Sequence, residues 1–575
     1  MLIKYLKPYW FFAILAPLCM IAEVCIDLMQ PKLMSNIVDI GVVNQDISYI
    51  ISTGITMLLL VLVGCAGGVL SGVFAGIASQ SFGKDLRDQV FSKVMSFSLQ
   101  QTDEFTTGSL ITRLTNDVTA VQDLVAMALR MFVRAPLSFI GGIVMMLTLQ
   151  VDFALVLLLS LPIELLMVWI LLKKAGPLYG TVQKRLDTVN SVVQENVSGA
   201  RVVKAYVREE HESSRFAKAN EALSADNYRV QKLMATLNPV LSIVMNLSVI
   251  AVIYIGSLQA EAGAMQVGQI MAAVTYVTQV LMSIMMVSMM FQSISRAQAS
   301  ARRISEVLSC EPVIQSGHQL PDEIRGGSVA LQHVSFTYPG GVNEPVLQDI
   351  CLEVKPGETL AVLGATGVGK TTLINLIPRF YDATEGEVFF NGVNVRDYDI
   401  NYLRERIGIV PQKNELFSGS ILDNLRWGNP QATQEEAEWA AKIAQADGFI
   451  RSFPEGYQTV IGQKGASLSG GQRQRLAIAR AILKRPELFI FDDSMSALDL
   501  ATDAALRKAL RENLHGTTVI MIAQRIASVM DADRIAVLDG GRMIACAPHS
   551  ELMESCAVYR DIYDSQLRKE VAFHG

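Results

Sequence analysis

Six apolar runs, each long enough to cross a bilayer, constrain this 575-residue chain more than any other feature. A crossing takes about 20 residues of helix. The runs fall at 9–29, 56–77, 127–149, 153–172, 239–257 and 270–291. Charged residues make up 18% of the chain, against about 25% in soluble proteins, and part of it is therefore expected in lipid. The net charge of −6 gives no support to a nucleic-acid partner, which would favour a basic face. No small-residue cleavage site follows the first run, so it reads as a retained helix and not a signal peptide.

Lys and Arg placement orients the spans. The stretch 79–134 carries Lys84, Arg87, Lys93, Arg113, Arg130 and Arg134, and 173–232 is richer still. The alternate connections, 33–50, 148–153 and 257–267, hold no Lys or Arg. Both termini are thus expected in the cytoplasm, with 1–8 as a short interfacial helix. The two basic connections are long and poor in Pro and Gly. An unstructured loop of that length would be unusual, so they are expected as membrane helices continuing outward in paired rods. Each pair would turn at a short segment, near 102–109 and near 200–209. These turns either press on a cytoplasmic domain or are passive spacers.

Composition changes near 302–311, which divides the chain into 1–315 and 316–575. In the second part, Gly364-Ala365-Thr366-Gly367-Val368-Gly369-Lys370-Thr371 fits G-x-x-x-x-G-K-[ST]. It follows a strand-like run at 359–363 and opens an amphipathic helix at 371–377, Thr372 included, the context this motif requires. Its glycines let backbone N–H groups close on phosphate oxygens, and the helix N-terminus favours negative charge. Lys370 would reach the β- and γ-phosphates, and Thr371 would ligate Mg²⁺. The apolar run 488–491 ends in Asp492, a carboxylate suited to the same ion. Between these motifs lies Leu468-Ser469-Gly470-Gly471-Gln472, a second glycine-rich helix start and so a second anion site. One nucleotide cannot easily use both within one chain, whereas two chains arranged head to tail can.

This order of motifs resembles the ATP-binding cassette family, whose signature is LSGGQ, and the two-part architecture resembles its exporters. The resemblance covers essentially the whole chain. It implies a membrane all-α domain of six helices, domain-swapped, fused to an α/β P-loop NTPase domain. It implies a dimer in which ATP and Mg²⁺ lie between the P-loop of one half-transporter and the signature of the other. It also implies that the two turns are coupling helices, the second docking on the partner's cassette. Tyr338 matches the aromatic that stacks on adenine. Gln412 matches the glutamine that reaches Mg²⁺, and Asp499 lies in the loop that crosses the dimer interface. Ser469 and Gly471 would bind the γ-phosphate of the partner's ATP.

The pattern breaks at three places. The family usually has Glu after the magnesium aspartate, and this chain has Asp493, shorter by about 1.5 Å. A misplacement of about 1 Å can cost roughly a hundredfold in rate. The family usually has His after Ile522-Ala523, and this chain has Gln524, which cannot carry a proton. Gln463 stands where Glu is frequent. The first two departures flank the reacting phosphate while the signature is intact. This resembles heterodimeric bacterial exporters with one degenerate and one competent site; a slow homodimer is the alternative.

Glu23, Asp27 and Glu164 fall in or near apolar spans, where carboxylates are costly and are functional candidates. Glu164 either lines a cavity for cationic substrates or pairs with a neighbouring helix. The chain has 25 methionines, and Met271, Met282, Met285, Met286, Met289 and Met290 crowd the last span. Thioethers suit a surface that accepts varied shapes, and they equally suit ordinary packing. With the family resemblance, this favours export of hydrophobic, often cationic compounds, with lipid or peptide export and ATP-gated regulation as alternatives. The cysteines, Cys19, Cys25, Cys65, Cys310, Cys351, Cys546 and Cys556, form no CxxC and no Cys/His cluster at metal-ligand spacing. They read as scattered reduced thiols.

Overall fold

The computed structural model describes residues 2–321, 326–339, 344–465, 467–495, 498–523 and 525–574. The chain forms two compact units. One comprises Met1–Met95 with Thr107–Cys310, the other Ser96–Thr106 with Glu311–Gly575.

In the first unit each apolar run lies inside a long helix, apart from Tyr9, which ends the short 3-10 helix Leu2–Tyr9: Trp10–Asn36, Ile47–Met95, Val118–Leu149, Phe153–Ser198, Leu237–Glu261 and Val267–Ser309. Among the described residues, six helical stretches are long and apolar enough to cross a membrane. Ile47–Met95 has 49 residues. At 1.5 Å per residue it reaches about 74 Å, over twice the hydrocarbon thickness of about 30 Å. Helices of this length run on as rods, and polar contacts join them in pairs. Arg87 donates to Gln122 Oε1 (3.1 Å) in the first pair. In the second, Phe153–Ser198 lies beside Glu209–Ala235, through Arg185–Asp226 at 3.2 Å and Arg215–Glu195 at 2.6 Å.

The membrane core gathers Met20, Val24, Leu28, Met146, Tyr276, Val277 and Val280. Tyr276 satisfies its buried hydroxyl by donating to the Leu28 carbonyl (2.7 Å). Asp39 is buried and accepts from Ser35 Oγ (2.9 Å) and the Gly268 N–H (2.6 Å), which ties the first spanning helix region to the sixth. Arg134 bridges Glu23 (2.6 Å) and Asp27 (3.1 Å). The basic stretch counted from 79 to 134 therefore ends too late. Arg134 sits within the third apolar helix, where two acids on one face of the first helix, four residues apart, neutralise it.

The first turn is the helix Leu99–Phe105, closed by Thr106 at φ +54°. It starts a little before the expected 102–109, because Ser98 and Gln101 form a capping box. The second is Ala200–Ala205, entered from Gly199.

The second unit contains twelve strands among its described residues: β1 (Val329–Phe336), β2 (Leu347–Val354), β3 (Thr359–Gly364), β4 (Glu385–Phe390), β5 (Val393–Asn394), β6 (Ile407–Val410), β7 (Gly419–Ser420), β8 (Val460–Ile461), β9 (Leu488–Asp492), β10 (Thr518–Ile522), β11 (Arg534–Asp539) and β12 (Arg542–Ala547). An antiparallel sheet runs β2-β1-β4-β5. A six-stranded sheet runs β12-β11-β3-β10-β9-β6, parallel except at β12. β9 is buried along its whole length, as a strand covered on both faces must be. Ligands of such sheets gather at the carboxyl ends of the strands. Here those ends are Gly364 on β3 and Asp492 on β9.

Candidate functional site

β3 ends at Gly364, and the chain turns through Gly367 (φ +87°) and Gly369 (φ +99°) into the helix Lys370–Leu376. A Cβ on Gly364 would lie 2.4 Å from the Leu538 carbonyl oxygen, so that position has no room for a side chain. Gly369 occupies a left-handed backbone that glycine adopts without penalty. Ala365, Thr366 and Gly367 are exposed at the loop tip, while Val368 is half-buried and Thr372 buried. Lys370 Nζ curls back over the loop, donating to the carbonyls of Gly364 (2.8 Å) and Ala365 (2.7 Å).

Thr371 Oγ1 donates to Asp492 Oδ1 at 2.9 Å. These two hard oxygens are 121 residues apart in sequence, and the parallel sheet brings them together. They are donors of the kind Mg²⁺ takes. Burial pushes the Asp492 carboxyl above the ordinary range; Asp493 reinforces this and the Thr371 hydroxyl opposes it. Burial also pushes the Lys370 ammonium down, against the pull of Asp493 and Asp492. Lys370 and the two aspartates are thus electrostatically coupled at the loop.

Asp493 is 8% exposed, at φ +48°, with its N–H donating to the Ile522 carbonyl (3.1 Å). Gln412 Nε2 donates to Asp493 Oδ2 at 3.4 Å. A cavity of about 210 Å³ beside them is lined by Asp493, Ala523 and Arg525 among others. Gln524 lies outside the described residues. Tyr338 bonds Thr372 through their hydroxyls (3.0 Å), at the start of the P-loop helix. Its ring packs edge-on against Phe336 (4.8 Å) and Tyr381 (5.4 Å).

The signature opens the helix Gly470–Leu483. Ser469 Oγ accepts from the Gln472 N–H (3.2 Å) and Gln472 Oε1 from the Ser469 N–H (2.9 Å), a closed capping box. Ser469 and Gly470 are exposed and Gly471 is half-buried, so the helix start faces outward. Asp499 caps the helix Leu500–Asn513 by accepting from the Thr502 N–H (2.9 Å), which holds its carboxyl below the usual range.

A contact that the sequence did not disclose joins the site to the first turn. Gln101 Nε2 donates to the Glu311 carbonyl (2.8 Å), and the Val313 N–H donates to Gln101 Oε1 (3.3 Å). Tyr381, the neighbour of Tyr338, donates its hydroxyl to Asp103 Oδ2 (3.3 Å). Nothing in the local pattern around Tyr381 marks it; the contact depends on pairing across 278 residues.

Two family models match the chain. The ABC transporter transmembrane region matches residues 13–284, and the ABC transporter model matches residues 347–496. The chain belongs to the ABC transporter family. It is 41% identical over 568 residues to an uncharacterized ABC transporter ATP-binding protein of Bacillus subtilis, covering 99% of this chain and 98% of that one. A multidrug efflux ATP-binding/permease protein of Mycobacterium tuberculosis is 35% identical over 83% of this chain, which spans 40% of it. An ATP-dependent lipid A-core flippase of Chromobacterium violaceum is 31% identical, covering 99% of this chain and 97% of the flippase. The solved structure of a bacterial Atm1-family ABC exporter with ATP bound superposes at a TM-score of 0.80, with 23% identity and 98% coverage of both chains. That likeness shows the fold. This ABC transporter is thus a half-transporter with one transmembrane domain and one ATP-binding domain of an ATPase family.

In the membrane unit of the transporter, Glu164 is 3% exposed and its Oε2 has no hydrogen-bond partner among the described residues. It lines a cavity of about 230 Å³ with Leu241, Ser242, Met245, Leu281, Met282 and Met285. Met282 and Met286 are partly exposed; the Met289 side chain lies outside the described residues.

All seven cysteines are free, yet Cys351 is not isolated: with His333 and Asp349 it forms a cluster whose ligand atoms lie within 4.8 Å of one another. Antiparallel pairing of β1 and β2 hides this grouping from a scan for closely spaced motifs.

Proposed function

We propose that this chain is one half of an ATP-driven exporter of hydrophobic and amphipathic compounds. It works as a heterodimer in the cytoplasmic membrane with both termini in the cytoplasm, its transmembrane domain at 1–315 and its nucleotide-binding domain at 316–575. The observation that carries this reading is an intact, outward-facing signature in the same chain as a shortened carboxylate, Asp493.

In its own pocket, Lys370 and the backbone from Gly364 to Gly369 hold the phosphates, and Tyr338 stacks on adenine. Thr371, Asp492 and Gln412 hold Mg²⁺, whose charge would draw electron density from the phosphates when bound. Asp493 is too short to polarise the attacking water well, and Gln524 cannot exchange a proton. ATP therefore stays there, keeping the cassettes partly joined. The helix start at Ser469–Gln472 and the Asp499 loop complete the partner's site, where hydrolysis is faster. ATP binding closes the cassettes. The turns at Leu99–Phe105 and Ala200–Ala205 carry the closure to the spans. The Tyr381–Asp103 contact supports the first of these roles, and the exposed Tyr206 and Val207 beside the second support docking on the partner's cassette.

The Glu164 cavity supports a cationic, apolar cargo. An unpartnered carboxylate in an apolar site favours a positive charge, and the surrounding thioethers adapt to shape. The multidrug efflux relative supports the same class, while the lipid A-core flippase keeps lipid export as the second reading. ATP-dependent accumulation of a cationic dye in inverted vesicles, with and without the partner chain, tests this. Accumulation only with the partner, reduced by Glu164→Gln, is expected. Uptake unchanged by Glu164→Gln, together with uptake of a labelled lipid, would favour the second reading.

A further inference from the structure

We propose that His333, Asp349 and Cys351 bind one divalent ion of the zinc class on the outer face of the antiparallel sheet, apart from the nucleotide site.

The site is built by strand register. On β2, residues 350, 352 and 354 are buried, whereas 349, 351 and 353 face solvent. On β1, Leu331 pairs with Leu352 and Val334 with Ile350. Two residues, Gln332 and His333, therefore oppose one, Cys351. This is a β-bulge, a device that re-aims a side chain. The backbone departs further from a plain strand at two ligand positions. His333 has φ +48° and Asp349 φ +51°. Left-handed backbone is uncommon outside glycine, although Asp and His are among the residues that tolerate it.

The outcome is convergence on one ring nitrogen. His333 Nδ1 lies 2.7 Å from Asp349 Oδ1 and 3.6 Å from Cys351 Sγ. The His333 N–H also donates to Cys351 Sγ at 3.4 Å, which fixes the sulfur beside the ring. Zinc holds nitrogen at about 2.0 Å and thiolate sulfur at about 2.3 Å in a tetrahedron. That geometry sets the two ligands about 3.5 Å apart, close to the 3.6 Å observed. The same tetrahedron needs nitrogen and carboxylate oxygen about 3.3 Å apart. Asp349 must therefore retreat by roughly 0.6 Å from its hydrogen bond, a small rotation for a side chain that is 71% exposed.

The donor set selects the ion. Imidazole and thiolate favour zinc over magnesium or calcium, and the nucleotide site offers only hard oxygens. On binding, the Cys351 thiol gives its proton to solvent and His333 offers the Nδ1 lone pair while Nε2 keeps its hydrogen. A thiolate and a carboxylate then balance the two positive charges, and water takes the fourth position. The ion would staple β1 to β2, the two strands that flank the Tyr338 loop.

Cobalt(II) is the probe. The full-length chain in detergent, stripped of metal and nucleotide, is titrated with Co²⁺. One equivalent is expected to give tetrahedral visible bands and a thiolate-to-cobalt charge-transfer band in the near ultraviolet, both bleached by Zn²⁺. Cys351→Ser should abolish the charge-transfer band, and His333→Ala should weaken binding by about tenfold or more. Cys546→Ser should change neither. Retained ATP binding shows that the variants are folded. A saturated spectrum without the charge-transfer band means that His333 and Asp349 are only a surface ion pair, and overturns the proposal. A band surviving in Cys351→Ser, or affinity unchanged in His333→Ala, overturns it too.

Discussion

Gln412 Nε2 donates to Asp493 Oδ2 across 3.4 Å, so the residue following the β6 strand and its proline meets the residue following β9 at the mouth of the P-loop. Asp493 is nearly buried there and anchored through its own N–H to the Ile522 carbonyl. A fixed backbone cannot make good the methylene that aspartate lacks. The position of the carboxylate is therefore set by chain length, and the predictions below rest on that.

The electrostatics of the P-loop give a bell in pH. Mg-ATP needs Asp492 ionised and Lys370 protonated. Burial raises the first group and lowers the second, which narrows the window from both sides. As pH falls, Asp492 takes a proton at a higher pH than an ordinary carboxylate would, and Mg-dependent affinity drops. As pH rises, Lys370 loses its proton earlier than an ordinary lysine, and affinity drops again. Nucleotide affinity measured against pH should show both limbs, and Asp492→Asn should remove the acidic one. A flat acidic limb in the unaltered chain contradicts this.

Ser469→Ala removes the hydroxyl that caps the signature helix, at a cost of about 1 kcal/mol in stability. ATP binding by the chain alone should be unchanged, because that nucleotide sits on the other loop. ATPase activity of the assembled dimer should fall by roughly a hundredfold, the usual cost of one lost donor to a developing charge. Loss of binding in the isolated chain would place Ser469 in the wrong site.

Tyr381→Phe deletes the hydroxyl bond to Asp103, worth about 1 kcal/mol. Basal ATPase of the dimer should survive, while stimulation by transported substrate should weaken. Asp103→Asn keeps an acceptor and should be milder. Equal loss of basal and stimulated rates would assign Tyr381 to nucleotide binding alone.

Arg134→Gln strips Glu23 and Asp27 of their partner. The membrane unit should lose about 1–3 kcal/mol, read as earlier unfolding in detergent, because Glu23, the more buried of the two carboxylates, is left unpaired. The double variant Glu23→Gln with Arg134→Gln should recover most of it. No recovery would mean that Arg134 acts through packing and not through charge.

Much of this was legible in the chain, for reasons that differ by region. The six spans were readable because lipid forces apolar continuity over a full crossing. Gly364–Thr371 and Ser469–Gln472 were readable as a loop into a helix and a capped helix start, because consecutive residues build each of them. Arg134 was misjudged because counting basic residues along a stretch ignores acids one helix away. Asp39, which joins the first and sixth helix regions, and Tyr381 carried no local signature. Cys351 looked solitary because its partners lie across a strand pair. In each case the missing information was a neighbour distant in sequence, which sequence spacing does not contain.

The account turns on one number, the Mg-ATPase rate of the purified chain without its partner. A low rate is expected, with ATP bound and slowly released. Asp493→Glu combined with Gln524→His should raise that rate, on the order of a hundredfold if carboxylate reach is the limit. A brisk rate in the unaltered chain would contradict the degenerate site and the heterodimer with it.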